Sequence, residues 1–132
     1  MKGFHGLIIF LICILNLIGC KSIKELTYGI AGVSTRVLEE NRKSAIVEVF
    51  AYDYLSCYKR CIEILKKIGA YIYKQDIKKY MIAIYVSEED TTPVGLFFKE
   101  IDKNHTQIEI SSPSTYAKEL ISEKLYHGLK SP

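Results

Sequence analysis

The side chains in the body of the chain that could do nucleophilic, thiol or metal chemistry are Cys57 and Cys61 in "CYKRC", His105 and His127. Two cysteines four positions apart on one helix make a geometrically poor disulfide, even in an oxidising compartment. As metal ligands they need further donors, and no histidine lies near them in sequence. The spacing also differs from haem attachment, which takes two intervening residues and a following histidine. The expectation is that Cys61 is a buried apolar residue, with Cys57 at the margin of the core. His105 falls in a turn and His127 near the end of the chain. Neither has a serine or cysteine beside it to complete a triad. The acidic stretch "SEEDTT", Ser87 to Thr92, lacks the spacing and the glycine of a calcium-binding EF-hand loop. "YGIAG", with Gly29 and Gly32, has neither the preceding strand nor the following lysine of a phosphate loop. The chain therefore reads as non-enzymatic, with no catalytic residues, no metal and no cofactor. The alternative is a small hydrolase or a thiol or metal protein using Cys57, Cys61 or His105.

The elements that would position these residues follow from hydrophobic periodicity. "AIVEVFAY" is β-branched and aromatic and predicts a strand. Over Tyr54 to Ile68 the residues Leu55, Tyr58, Cys61, Ile62, Leu65 and Ile68 form an apolar stripe, with Asp53 as cap and Gly69 as stop. "AYIYKQD" and "YMIAIYV" predict two strands around a turn near Asp76 to Lys79. "VGLFFKEI" and "TQIEISS" predict two more around "DKNH". A second helix is expected over Ser114 to Leu129, carrying Ala117, Leu120, Ile121, Leu125 and Leu129, with Gly128 and Pro132 marking a frayed end. A short helix over Ser34 to Arg42 includes Val37 and Leu38.

Consecutive strands on short turns pair antiparallel, and helices with one apolar stripe need a sheet face to cover it. The expected fold is α+β: a two-layer sandwich in the order β-α-β-β-β-β-α, with an antiparallel sheet of about five strands and both helices on one face. Val47, Val49 and Ala51 are expected to face the helices, as are Ile82, Ile84, Val86, Val94, Leu96 and Phe98. The other face would carry Phe50, Tyr52, Tyr71, Tyr73, Met81, Tyr85 and Phe97. Such a surface either stabilises the sheet by cross-strand pairs, partly covered by residues 22–44, or docks a partner protein, lipid or glycan.

The amino terminus carries an address. Lys2 is followed by the 12-residue run "LIIFLICILNLI", apolar except for Asn16, and then by Gly19 and Cys20. The run is short for a spanning helix, which takes about 20 apolar residues, and has the layout of a secretory signal. "LIGC" resembles the lipobox of bacterial lipoproteins. That resemblance implies cleavage between Gly19 and Cys20, a signal peptide over 1–19, and a lipid on the Cys20 thiol. The competing reading is an ordinary signal peptide or an uncleaved anchor with Cys20 incidental. Two or three acyl chains hold a protein at a membrane where one holds only marginally. By the sorting rule of that family, Lys21 leans toward the outer membrane, facing the periplasm.

The mature chain would then be a lipidated tether with a short helix over 20–44 and an α+β domain over 45–130. Its small positive charge and dispersed lysines do not suggest nucleic acid. The order of elements from Phe50 to Leu129 resembles a family of small bacterial lipoproteins classed as a domain of unknown function. The features in common are the lipobox, "LKKIG", a strand pair, Thr106, Ile108 and Ile110 as "T-x-I-x-I", and a closing amphipathic helix. The resemblance implies a fold and an address and transfers no catalytic residue. The chain is thus expected to be a membrane-anchored interaction or structural module of the cell envelope, whose partner is an envelope protein, lipid or glycan.

Overall fold

A computed structural model of the chain describes residues 35–131. Gly19, Cys20, the signal segment and most of the expected tether lie outside the described residues. Residues 35–40 are α-helical and run into a 3-10 turn, Asn41–Ser44. There follow β1 (Ile46–Phe50), α1 (Tyr54–Lys67), β2 (Tyr71–Asp76), β3 (Met81–Tyr85), β4 (Pro93–Asp102), β5 (His105–Ser111) and α2 (Thr115–Lys130). The five strands form one sheet in the order β1-β5-β4-β3-β2, antiparallel throughout. The expected α+β sandwich and its element order hold. Among the described residues no helix is long and apolar enough to cross a membrane.

Local chemistry sets the helix ends. The Asp53 carboxylate accepts from the Ser56 amide at 3.1 Å, capping α1. Hydrogen bonding from Ser56, by its side chain first and its amide second, holds the carboxyl below its ordinary range. At the other end Gly69 takes φ +84°, a left-handed conformation that costs glycine little. The Ala70 amide then bonds the Leu65 carbonyl and the Gly69 amide that of Lys66, the paired closure of a Schellman motif. Ser114 caps α2 by accepting from the Ala117 amide.

Both helices pack on one face of the sheet. Tyr58, Cys61, Leu65, Ile121 and Leu125 meet Ile82, Ile84, Val94, Leu96, Phe98, Ile108 and Ile110 in the main core. The buried stripe of α1 is Tyr54, Cys57, Tyr58, Cys61, Ile64 and Leu65. The expected stripe was rotated by about one residue, for Leu55 stands exposed. The helix turns to bring in Tyr54, whose ring stacks on Tyr80 with centroids 4.3 Å apart and whose hydroxyl donates to the Ile77 carbonyl.

The facing of β1 is the reverse of that expected. Val47 and Val49 point away from the helices and are about half exposed. Ile46, Glu48 and Phe50 pair across from Ile110, Ile108 and Thr106 and share their helix-facing side. Alternation alone argued against placing Glu48 there. An edge strand tolerates it because Lys130 of α2 reaches over to form an ion pair with it. Phe50 is consequently core, its ring 5.1 Å from that of Tyr126. Tyr52 also packs on this core and donates to the Leu129 carbonyl at 2.9 Å. Gly128 is likewise no sign of fraying. It lies within α2 against Ile64, whose side-chain carbons would stand 3.0–3.2 Å from an added Cβ.

Candidate functional site

The opposite face of the sheet is covered in its middle and open toward its flanks. Leu38 is fully buried there in a second cluster with Met81, Ala83 and Phe97, and Tyr73 packs against it. Gly95 makes room for it, since a Cβ at that position would lie 3.1 Å from Leu38 Cδ1. Ser111 Oγ donates to the Leu38 carbonyl at 2.6 Å. Arg42 lies with its guanidinium carbon 4.3 Å from the Phe97 ring centre, a cation–π arrangement. It also donates to Glu109 at 2.8 Å. Residues 35–44, expected as a short helix closing the tether and as a partial cover of this face, are packed onto the sheet and close over Phe97.

What remains of the expected docking face is a strip of three tyrosines on β2 and β3. Tyr71 and Tyr85 stack at 6.0 Å with planes 13° apart, and Tyr73 and Tyr85 at 4.4 Å. Tyr71 is about half exposed. A register shift between Ile72 and Lys74 accompanies the strip, placing Tyr73 at a bulge. Of the six aromatic residues named from the sequence, the structure brings Tyr71, Tyr73 and Tyr85 together. It puts Phe97 under Leu38 and Arg42, and places Phe50 and Tyr52 on the other side of the sheet.

The candidates for thiol, metal and triad chemistry do not converge. Cys57 and Cys61 are both fully buried in the main core, so Cys57 is not marginal as expected, and neither forms a disulfide. A hydrogen bond with Cys61 draws Cys57 below the ordinary thiol range, while burial pushes Cys61 well above it. A thiolate acts as a nucleophile only where a reactant can reach it. Both thiols are expected to stay unmodified by an aromatic disulfide reagent in native protein and to react together when urea unfolds it. Site mapping by mass spectrometry checks this, and rapid labelling of native Cys57 would restore the thiol reading.

His105 stands with Asp102 on the exposed β4–β5 hairpin, Nδ1 to Oδ1 2.8 Å. Asp102 also accepts from the Asn104 amide, and the pairing with His105 holds its carboxyl below the ordinary range. This is the chemistry of a closed turn, and it shares no site with the buried Cys57. In the acidic loop Asp90 takes the amide and hydroxyl of Thr92 at 3.1 and 2.7 Å, so its carboxylate is engaged within the loop. Among the described residues no group of three or more histidines, cysteines and carboxylates is placed to hold a metal ion.

One feature escaped the sequence reading. The C-terminal halves of α1 and α2 enclose a groove of about 620 Å³ on the outer side of the helix layer. Ile64, Ile68 and Gly128 contribute to its lining, together with Arg60, Lys67, Lys124 and His127. Its basic residues come from two helices far apart in sequence, and along the chain they look merely dispersed. The chain matches no protein-family model and no curated protein.

Proposed function

We propose that the chain is a bacterial lipoprotein held at the membrane by an acylated Cys20, with residues 35–131 forming a non-catalytic interaction or structural module of the cell envelope. The observation that carries the module reading is the stacked strip of Tyr71, Tyr85 and Tyr73 beside the packed leading segment. Tyr71 is half exposed, with Tyr85 and Tyr73 partly buried beside it. An open aromatic ring offers apolar area together with a polar hydroxyl, the combination that suits a protein, lipid or glycan surface. The membrane reading is supported by "LIGC" at the end of its apolar run and includes the resemblance to small lipoproteins of unknown function. By the sorting rule of the lipoproteins that "LIGC" resembles, Lys21 favours the outer membrane.

Intact-mass analysis of protein purified from bacterial membranes tests the anchor. The native chain is expected to show residues 20–132 plus acyl chains, and Cys20→Ala to lose both the acyl mass and membrane retention. An unacylated or full-length native mass would overturn the lipoprotein reading.

A further inference from the structure

Charge is unevenly divided between the layers of the domain. The two helices carry seven lysines and arginines against three glutamates, whereas the rest of residues 35–131 carries eight against eleven. Two of the seven are engaged elsewhere. Lys118 is buried and donates to the Ser44 carbonyl, and Lys130 pairs with Glu48. In the groove between α1 and α2, Arg60, Lys67 and Lys124 face one acid, Glu63, which lies 3.5 Å from Arg60. The other two helix glutamates, Glu119 and Glu123, line a recess on the opposite flank of α2.

Helix dipoles explain only part of this. The negative end of a helix favours cations in its last turn, which accounts for Lys66, Lys67, His127 and Lys130. Arg60 and Lys124 stand further up their helices, where that field has faded, and still point into the groove. The packing of Gly128 on Ile64 gives it an apolar side. An apolar lining with a cationic rim suits an anion attached to a hydrophobic body.

We propose that this groove binds the phosphate headgroup of an anionic lipid, so that the helix layer lies against the bilayer surface. The proposal rests on the lipoprotein reading, which brings the domain to a membrane. The 14 residues between Cys20 and Thr35 span at most about 50 Å when extended. That exceeds the thickness of one helix layer on one sheet, about 20 Å. Attachment through the opposite face therefore leaves the helix layer free to meet the lipid. Anionic headgroups attract such basic clusters within a Debye length, and salt weakens the attraction.

The test uses full chain purified from bacterial membranes and reconstituted on vesicles of phosphatidylcholine, with or without phosphatidylglycerol. Lysine acetylation is mapped by mass spectrometry. Anionic vesicles are expected to slow acetylation of Lys67 and Lys124 about fivefold relative to neutral ones, with reversal by salt. Lys78 and Lys103, in the strand-connecting turns, should be unaffected. In a variant carrying Arg60→Glu and Lys67→Glu, with folding checked by circular dichroism, Lys124 should lose this protection. Three outcomes would each overturn the proposal: equal rates on both vesicle types, equal slowing of every lysine, or the same protection by inorganic phosphate without vesicles. The last would mark a free-anion site. If the variant fails to fold, the native comparison still decides. Failure of the anchor shows separately, as native protein that does not float with neutral vesicles; flotation with anionic vesicles alone would then support the groove, and flotation with neither would overturn it.

Discussion

Truncating Leu38 to alanine is expected to destabilise the domain by about 3 kcal/mol. The side chain is fully buried between Met81, Ala83 and Phe97, and it is the apolar contact that holds residues 35–44 on the sheet. The Ser111 hydroxyl bonded to its carbonyl and Arg42 on Phe97 remain, but neither fills the void. A domain of this size has about 5–15 kcal/mol in total, so the loss is a large fraction. With a urea slope of roughly 1–1.5 kcal/mol per molar, the unfolding midpoint should fall by about 2 M or more. Hydrogen exchange should accelerate first in residues 35–44, since a detached segment opens below the global limit. Gly95→Val should reproduce the local opening by putting carbon where Leu38 sits. An unchanged midpoint would mean that the leading segment is an ornament on a sheet that stands without it.

Tyr126→Ala is expected to cost about 3–5 kcal/mol, the largest loss from any single truncation considered. Its ring is buried against Phe50, and its hydroxyl lies 2.8 Å from the Ile46 carbonyl and 3.1 Å from that of Ile108. Burial pushes the phenol well above its ordinary range, keeping it neutral and able to donate. The residue thus ties α2 to edge strand β1 through both packing and a hydrogen bond. Tyr126→Phe separates the two and should cost only about 1 kcal/mol. Urea titrations of the pair measure the difference. Equal losses for Phe and Ala would mean that the hydroxyl, rather than the ring, carries the contact.

Much of the architecture was legible because it depends on local rules. Period-2 runs placed β3 and β4 with Ile82, Ile84, Val94, Leu96 and Phe98 correctly toward the helices. Asp53 and Gly69 marked the ends of α1, because capping and left-handed backbone are properties of single residues. Where the reading failed, a partner distant in sequence had changed the rule. Glu48 faces the helices because Lys130 is there to pair with it, which turns Val47 and Val49 outward and Phe50 inward. Gly128 packs closely on Ile64, a neighbour that exists only once two helices cross.

The candidate surfaces divide in the same way. Six aromatic residues could be named along the chain, but alternation on an edge strand cannot say which way Phe50 points, and composition cannot say that Leu38 and Arg42 will cover Phe97. The cationic groove was invisible, since Arg60 and Lys67 meet Lys124 only across a helix–helix packing. The sequence by itself determined the order of strands and helices, the caps that end α1 and the lipobox-like "LIGC". Each of these depends on residues within a few positions of one another. The tertiary structure alone decided which aromatic residues stay open, where the leading segment packs and how the basic residues converge. Side-chain neighbours there come from distant parts of the chain, and burial is a property of the assembled layers rather than of any one segment.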